Sequence, residues 1–472
     1  MIKIESKKNK FTYNVYHVTK AFYPKEDIVQ TVDEKQEPLV KIHLPEGTCF
    51  SLAPEECVQT EDVQEEKRDV TKKVYQFLSK QTGQKLAWGM LTGVRPTKLV
   101  MQKIEQGMTK EEIFGFLKEQ YCVGDKKAQI AYEIACREKA LLDQLDCKNG
   151  YSLYAGIPFC PSICSYCSFS SSPIAEWKDQ VDRYLDAMIK ELKATAKLMQ
   201  GKTLDTVYIG GGTPTTLEAD QLDRLLGTIR ENFDLEHVLE FTVEAGRPDS
   251  ITREKLEVIR KYPVTRISVN PQTMQQKTLD VIGRRHTVED VVRIFHLARE
   301  LGFDNINMDL IVGLAGDSVE SFRNTLDGVV ALHPESITVH TLALKRSSNI
   351  NKNGKIHFIN DGEGAGQMLD YVDTVLTKQD YIPYYLYRQS RMVGNLENTG
   401  WAKPGYENYY NVYIMDESHT ILACGAGAVS KIKHPYKDEL QRIFNFKFPY
   451  EYIDRYQEML DRKEKVKSIY KQ

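Results

Sequence analysis

The 472-residue chain lacks an excess of charge of either sign. Its 63 Lys and Arg stand against 66 Asp and Glu, for a net charge of −3. A protein built mainly to grip nucleic acid would be clearly basic, so no nucleic-acid partner is expected. A local basic pocket for an acidic small molecule remains allowed. No uncharged run reaches the roughly 18 apolar residues of a membrane span. The opening Met1-Ile-Lys-Ile-Glu-Ser-Lys-Lys-Asn-Lys has no apolar signal-peptide stretch, and a soluble, cytoplasmic protein is the expectation. Low-complexity tracts and repeats are missing. Cysteine is sparse, nine in the whole chain, which is no disulfide scaffold. With 41% apolar residues the chain can bury a sizeable core, and its length suggests two or three domains.

Six cysteines are scattered: Cys49, Cys57, Cys122, Cys136, Cys147 and Cys424. Three are packed together as Cys160, Cys164 and Cys167. Clustered thiols in a reducing compartment point to metal or catalysis.

Along the chain, Phe11–Val18 has strand composition, and Gln59–Lys73 is a charge run that suits a solvated helix face or loop. From Arg95 to Asp146 apolar residues recur at helical spacing, up to the turn Cys147-Lys-Asn-Gly150. The texture then changes. Strands are expected at 151–157, 205–209, 239–243, 264–269, 305–311 and 336–341, with amphipathic helices near 176–200, 217–232, 252–262, 287–301 and 318–332. Such alternation means βαβ units and a parallel sheet, either a closed or partial barrel or an open doubly wound sheet. In either case ligands belong at the carboxyl ends of the strands. After Thr341 the expected elements are a helix over 362–379, a Tyr-rich stretch Tyr381–Tyr413, a hairpin over Tyr409–Ala423 and a polar helix near 449–465. The expected domains are an α+β accessory domain at 1–148, an α/β domain at 149–345, barrel or open sheet, and an α/β C-terminal extension at 346–472, expected to cover the substrate.

Cys160-Pro-Ser-Ile-Cys164-Ser-Tyr-Cys167 has the spacing C-x3-C-x2-C and follows the first of these strands. A structural zinc wants four ligands, and the next histidine downstream is His237. Three thiolates suit a 4Fe-4S cluster with one iron left open. Zinc with a distant fourth ligand, or buried free thiols, would be the plainer readings. Gly210-Gly-Gly-Thr-Pro-Thr215 follows the second strand and lets a ligand approach the backbone, but it is neither a P-loop nor GxGxxG. Glu244, Gln272, Asp309 and Ala343 lie at the ends of, or just after, the later strands, and Arg284 follows Gln272. Each alone could be a helix cap or a surface ion pair. Their shared placement is the face where a barrel builds its site.

C-x3-C-x2-C followed by an aromatic resembles the signature of radical S-adenosylmethionine (SAM) enzymes. That resemblance implies a partial (β/α)6 barrel and a 4Fe-4S cluster held by Cys160, Cys164 and Cys167. In such enzymes the cluster cleaves SAM to a 5′-deoxyadenosyl radical that abstracts a substrate hydrogen. Tyr154-Ala-Gly-Ile-Pro-Phe-Cys160, Ile209-Gly-Gly-Gly-Thr-Pro-Thr215, Val243-Glu-Ala245, Arg266-Ile-Ser-Val269, Asp309-Leu-Ile-Val-Gly-Leu314 and Gly425-Ala-Gly-Ala-Val-Ser430 resemble the oxygen-independent coproporphyrinogen III oxidases, also called coproporphyrinogen dehydrogenases. Leu91-Thr-Gly-Val-Arg-Pro-Thr97 and Glu397-Asn-Thr-Gly-Trp-Ala-Lys-Pro-Gly405 resemble the HemZ-type branch.

The resemblance implies that Tyr154, Tyr166, Gly211, Gly212, Thr213 and Glu244 contact SAM, with Gln272, Arg284, Asp309, Ala343 and Val429 as further cofactor positions. The implied reaction, in haem biosynthesis, is oxidative decarboxylation of two coproporphyrinogen III propionates to vinyl groups, giving protoporphyrinogen IX and carbon dioxide. Implied partners are the tetrapyrrole, an electron donor such as flavodoxin or ferredoxin, and an unidentified electron acceptor. Tyr381–Arg391 supplies aromatic faces and the guanidiniums of Arg388 and Arg391, which suit a flat polycarboxylate or, equally, an aromatic strand packing on the barrel.

Two positions depart from established decarboxylases: Phe169 stands where they carry a further cysteine, and Gly156 where they carry histidine. Phe at the first position is shared with haem chaperones and with radical methyltransferases that degrade haem. These are the alternative functions, and a haem binder would want an axial ligand such as His286, His296 or His340.

Overall fold

The computed structural model describes residues 1–93, 95–167, 169, 171–343, 362–389 and 392–470. The expected domain boundary at 345 lies outside them. The chain divides into two compact units, one holding Met1–Cys136 and Leu386–Glu397, the other most of the chain from Arg137 onward.

The first unit carries a four-stranded sheet of β1 (Ile2–Ser6), β2 (Ile28–Val32), β3 (Val40–His43) and β4 (Cys49–Leu52) in the order β2-β1-β3-β4. The helix Asn9–Phe22 joins the parallel pair β1 and β2. This corrects the strand expected at Phe11–Val18. Phe11, Val15, Val18 and Phe22 recur every three or four residues and are all buried, so the apolar face has helical period despite β-forming side chains. The charge run opens a helix, Val63–Thr82, capped by Asp62 and stopped at Gly83 in the left-handed region. Helices Pro96–Glu105, Lys110–Tyr121 and Asp125–Leu142 follow. Within this unit Glu397 is buried and accepts from Trp88 Nε1 at 2.6 Å and from Lys127.

The second unit is built on six parallel strands: β5 (Gly150–Ile157), β8 (Thr203–Gly211), β9 (Glu240–Gly246), β10 (Arg266–Val269), β11 (Ile306–Val312) and β12 (Ser336–Thr341). A short pair, β6 (Phe159–Cys160) and β7 (Ser172–Pro173), brackets the cysteine loop. Leu153, Val207, Val243, Ile267, Leu310 and Val339 are fully buried along the sheet. Helices Val181–Leu198, Ala219–Asn232, Arg253–Arg260, Val288–Glu300 and Val319–Val330 alternate with the strands. Val181, Tyr184, Leu185, Met188 and Leu192 form the buried stripe of the first. Thr252, Thr287 and Ser318 cap later ones through their side-chain oxygens. This α/β architecture matches the expected one, and among the described residues the strand order does not close on itself.

The sheet continues on both sides. Beyond β12 lie β14 (Asn398–Ala402), antiparallel, and β13 (Ile382–Tyr387). Beyond β5 lie β15 (Thr420–Cys424), parallel to it, then β16 (Val429–Lys433) and β17 (Leu440–Phe444). The hairpin expected at Tyr409–Ala423 is instead a helix, Tyr409–Asp416, followed by β15. Asn408 caps the helix through Asn411 N–H, and Glu417 ends it at φ +60°. The polar C-terminal segment forms three short helices, Pro449–Asp454, Tyr456–Lys463 and Lys465–Tyr470. Among the described residues no helix is long and apolar enough to cross a membrane.

Candidate functional site

The cysteine loop leaves the carboxyl end of β5 and is fastened from three sides. The Gly210–Thr213 segment runs along it, with Gly212 N–H donating to Ile157 O at 2.7 Å and Thr213 N–H to Phe159 O at 2.7 Å. Ser165 N–H donates to Ile282 O at 3.1 Å, and the Ser162 hydroxyl to Gly283 O at 3.3 Å. Gly211 stands at φ +113°, where a side chain is strained. At Gly212 an added Cβ would lie 2.6 Å from Phe159 O and 3.0 Å from Cys160 Sγ, so the backbone approach needs glycine. Two sulfurs have donors aimed at them: Thr213 Oγ1 at 3.5 Å from Cys160 Sγ, and Arg247 Nη1 at 3.8 Å from Cys164 Sγ.

Next to the loop, five of the six parallel strands present a partly open side chain flanked by buried neighbours. These are Tyr154, Tyr208, Glu244, Asp309 and His340. They therefore stand out from the fully buried core of the sheet. Tyr208 donates its hydroxyl hydrogen to Glu244 Oε1. The rings of Tyr154, Tyr208 and Tyr410 stack nearly parallel, with centroids 4.4 Å apart for Tyr208 and Tyr410 and 6.2 Å for the other pairs. Burial pushes the Glu244 carboxyl up to about 7, and the charge of Asp309 adds to it. Asp309 accepts from Asn307 at 2.7 Å and faces His340 Nε2 at 3.8 Å.

On the far side of the loop, Arg284 donates to Asn270 O at 2.5 Å and to the Tyr166 hydroxyl at 3.2 Å, tying the fourth strand end to the cysteine motif. Gln272 is buried at φ +67°, and its backbone bonds to Asp309 O and Ile311 N–H hold it beside β11. Gln272 Oε1 and Arg284 Nε have no partner among the described residues, although both are buried. Buried polar atoms without partners are costly, and here they sit where a ligand was expected.

These contacts bring together Cys160, Cys164, Tyr166, Gly211, Gly212, Thr213, Gln272, Arg284 and Asp309, with Tyr154 and Glu244 beside them. Ala343 follows β12 and is partly exposed. Val429 opens β16, two strands over from β5, paired with Phe444. Phe169 is 75% exposed. Arg388 does not offer a free guanidinium fork: it is buried and its terminal nitrogens donate to Leu91 O and, at 2.8 Å, to Asn395 O, which leaves only Nε without a partner among the described residues. Arg391 lies outside the described residues. His286 is buried against Asp249, and His296 is exposed on its helix. Sequence reasoning missed Arg247, Tyr208 and Tyr410. Arg247 was within reach, three residues after Glu244 in the same strand-end motif. Tyr410 was not, because its place follows from a helix packed against the strand ends.

Among the described residues no three His, Cys, Asp or Glu side chains converge on one point as ligands of a single ion. A 4Fe-4S cluster does not ask for that, since each thiolate takes its own iron. Burial pushes the Cys160 and Cys167 thiols up, so a bound metal is what would hold them as thiolates. The soft donor set, the N–H and O–H groups aimed at two sulfurs and the glycine-lined approach fit such a cluster.

Residues 154–329 match the family model described as the radical SAM superfamily. The chain is 41% identical over 397 residues to the oxygen-independent coproporphyrinogen-III oxidase-like protein HemZ of Bacillus subtilis (strain 168), covering 83% of this chain and 79% of that protein. It is 31% identical to the heme chaperone HemW of the same organism, over 63% of this chain and 77% of HemW. It is 33% identical to the oxygen-independent coproporphyrinogen III oxidase of Escherichia coli (strain K12), over 41% of this chain and 42% of that enzyme. The solved structure of Escherichia coli coproporphyrinogen III oxidase, HemN, superposes with a TM-score of 0.54 at 24% identity, covering 69% of this chain and 73% of that one, which shows the shared fold.

Proposed function

The chain belongs to the radical SAM superfamily, in the group that holds the HemZ-type coproporphyrinogen-III oxidase-like proteins, the oxygen-independent oxidases and the HemW haem chaperones, and from that premise we propose that it oxidatively decarboxylates coproporphyrinogen III to protoporphyrinogen IX. The observation that carries this is the cysteine loop seated beside Glu244, Asp309 and the Gly210–Gly212 segment at the strand ends, in a chain similar to HemZ over 83% of its length. In this reading Cys160, Cys164 and Cys167 hold a 4Fe-4S cluster. Bound together, the cluster and SAM supply a hydrogen-abstracting 5′-deoxyadenosyl radical.

The protein's own part is placement. Gly211, Gly212 and Thr213 would contact the cofactor from a segment held against the cysteine loop, where the N–H groups of Gly212 and Thr213 are taken by Ile157 O and Phe159 O, and Glu244 would offer a carboxylate to its amino group. Arg284 and Asp309 suit its carboxylate and ribose hydroxyls through charge-assisted hydrogen bonds. Tyr154, Tyr166, Gln272, Ala343 and Val429 complete the proposed contacts. Tyr154, Tyr208 and Tyr410 form an aromatic wall beside the reacting space, suited to exclude water from it. Reducing equivalents would come from a small electron carrier of the flavodoxin or ferredoxin kind in a cytoplasmic setting.

A second reading, haem binding and transfer, is favoured by one residue. Phe169 stands exposed where established decarboxylases carry cysteine. Its candidate iron ligand is His340, partly open at the end of β12.

Anaerobic turnover separates the two. Reconstituted protein, reductant, SAM, coproporphyrinogen III and an extract-derived electron acceptor would be analysed by mass spectrometry. The proposal expects 5′-deoxyadenosine together with tetrapyrrole that has lost one or two carbon dioxides. Intact coproporphyrinogen with tight, stoichiometric haem binding would favour the second reading.

A further inference from the structure

Arg247 follows β9 through a turn at Gly246, whose φ of +74° redirects the chain toward the cysteine loop. Its guanidinium is buried, with 4% of the side chain exposed. Nη1 donates to Ser162 O at 2.9 Å and to Ser162 Oγ at 2.9 Å, and points at Cys164 Sγ at 3.8 Å. Ser162 lies midway between Cys160 and Cys164, so one nitrogen grips the centre of the C-x3-C turn and one of its sulfurs. The other edge of the fork is taken by Asp249, with Nε to Oδ1 at 2.9 Å and Nη2 to Oδ2 at 2.6 Å. Asp249 is backed by the buried ring of His286, whose Nδ1 is 3.8 Å from Oδ1. Burial opposes the Asp249 charge, yet His286 and Arg247 hold its carboxyl below the usual range.

We propose that Arg247 is a positioning residue that seats the Cys160–Cys164 turn and, with a cluster bound, sets its reduction potential through the Cys164 sulfur. This rests on the cluster reading of the preceding section. Two arguments support it. A bidentate carboxylate fixes the plane of a guanidinium, so the Nη1 hydrogens are aimed before any metal arrives; lysine could not do this. And a cluster gains negative charge on reduction, so a buried cation and N–H donor beside one of its thiolates stabilise the reduced form and raise the potential. Thr213 gives Cys160 a neutral hydroxyl donor, whereas Arg247, ion-paired with Asp249, brings a charged donor to Cys164, which the Arg284 guanidinium also approaches.

The test uses full-length protein reconstituted anaerobically, without SAM, so that no activity is needed. Iron and sulfide per chain, the rate of iron loss to a chelator, and the midpoint potential from an electron paramagnetic resonance titration would be compared for wild type, R247Q, R247K and D249N. The expected result is a more negative potential in R247Q, with iron lost ~10-fold faster. R247K, which keeps the charge but not the fork, should recover part of the potential and little of the retention. D249N removes the counter-ion and keeps the cation, so its potential should not fall below wild type while iron is lost faster, and it serves if R247Q fails to fold. Failure of folded R247Q to load, with R247K loading little better, would support the seating role; full loading of R247K would show that charge alone suffices and overturn the role of the fork. Wild-type potential and retention in R247Q would overturn the proposal. A wild-type protein that takes up no cluster would overturn the cluster reading itself, and this proposal with it.

Discussion

The Tyr208 hydroxyl donates to the Glu244 carboxylate, joining the second and third parallel strands at the place where both open onto the strand ends. A side chain at Gly210 would strike the same carboxylate, since its Cβ would lie 2.8 Å from Glu244 Oε2. Glu244 is thus held by a tyrosine on one side and left unobstructed by a glycine on the other.

The first prediction follows from that carboxyl, pushed up to about 7 by burial and by the charge of Asp309. If it receives the amino group of SAM, the ionised form binds and a proton competes. Affinity should then fall as pH drops below 7, approaching ~10-fold per pH unit. Glu244→Gln should bind weakly, with little pH dependence across the same range, and retain its cluster. Calorimetric titration of cluster-loaded protein between pH 8 and pH 6 reads both; a flat wild-type profile would remove Glu244 from the cofactor site.

Gly212→Ala should load cluster poorly while folding normally. The added methyl has nowhere to go between Phe159 O at 2.6 Å and Cys160 Sγ at 3.0 Å. Circular dichroism should match wild type while iron per chain falls. Full iron content would show that the loop yields at little cost.

A structural prediction concerns Glu191 and Lys463, an ion pair 3.0 Å apart with both side chains almost fully buried. Glu191 also accepts from Gly425 N–H at 2.8 Å, Asn445 Nδ2 at 2.7 Å and the Tyr452 hydroxyl. Lys463→Met should cost ~3 kcal/mol, because it leaves a buried carboxylate without its cation. Adding Glu191→Gln should recover part of that loss. Denaturant unfolding of the single and double variants measures the coupling; strictly additive losses would contradict it.

Much of this was legible beforehand, for a physical reason. The six parallel strands are short apolar runs separated by helices with clear stripes, such as Val181 to Leu192, and each motif sits where a strand ends. Phe11–Val18 misled because β-branched and aromatic side chains speak for a strand, while their spacing, which proved decisive, speaks for a helix. Tyr409–Ala423 misled because the partner of β15 is β5, more than 260 residues earlier in sequence, and no local pattern reports such a pairing. Arg388 looked like a carboxylate binder because sequence shows a guanidinium but not the carbonyls of Leu91 and Asn395 that already occupy it.

Cys164→Ala should abolish cluster assembly, leaving the chain without the iron, sulfide or visible absorbance of the wild type. Normal iron content and SAM cleavage in this variant would remove Cys164 from the ligand set.

The central claim is a cluster with an iron left open for SAM, and electron paramagnetic resonance of the dithionite-reduced, reconstituted protein tests it most directly. The account predicts a reduced 4Fe-4S signal whose shape and g-values change when SAM is added, and change far less in Glu244→Gln. A cluster signal indifferent to SAM, or a chain that binds zinc in preference to iron and sulfide, would contradict it.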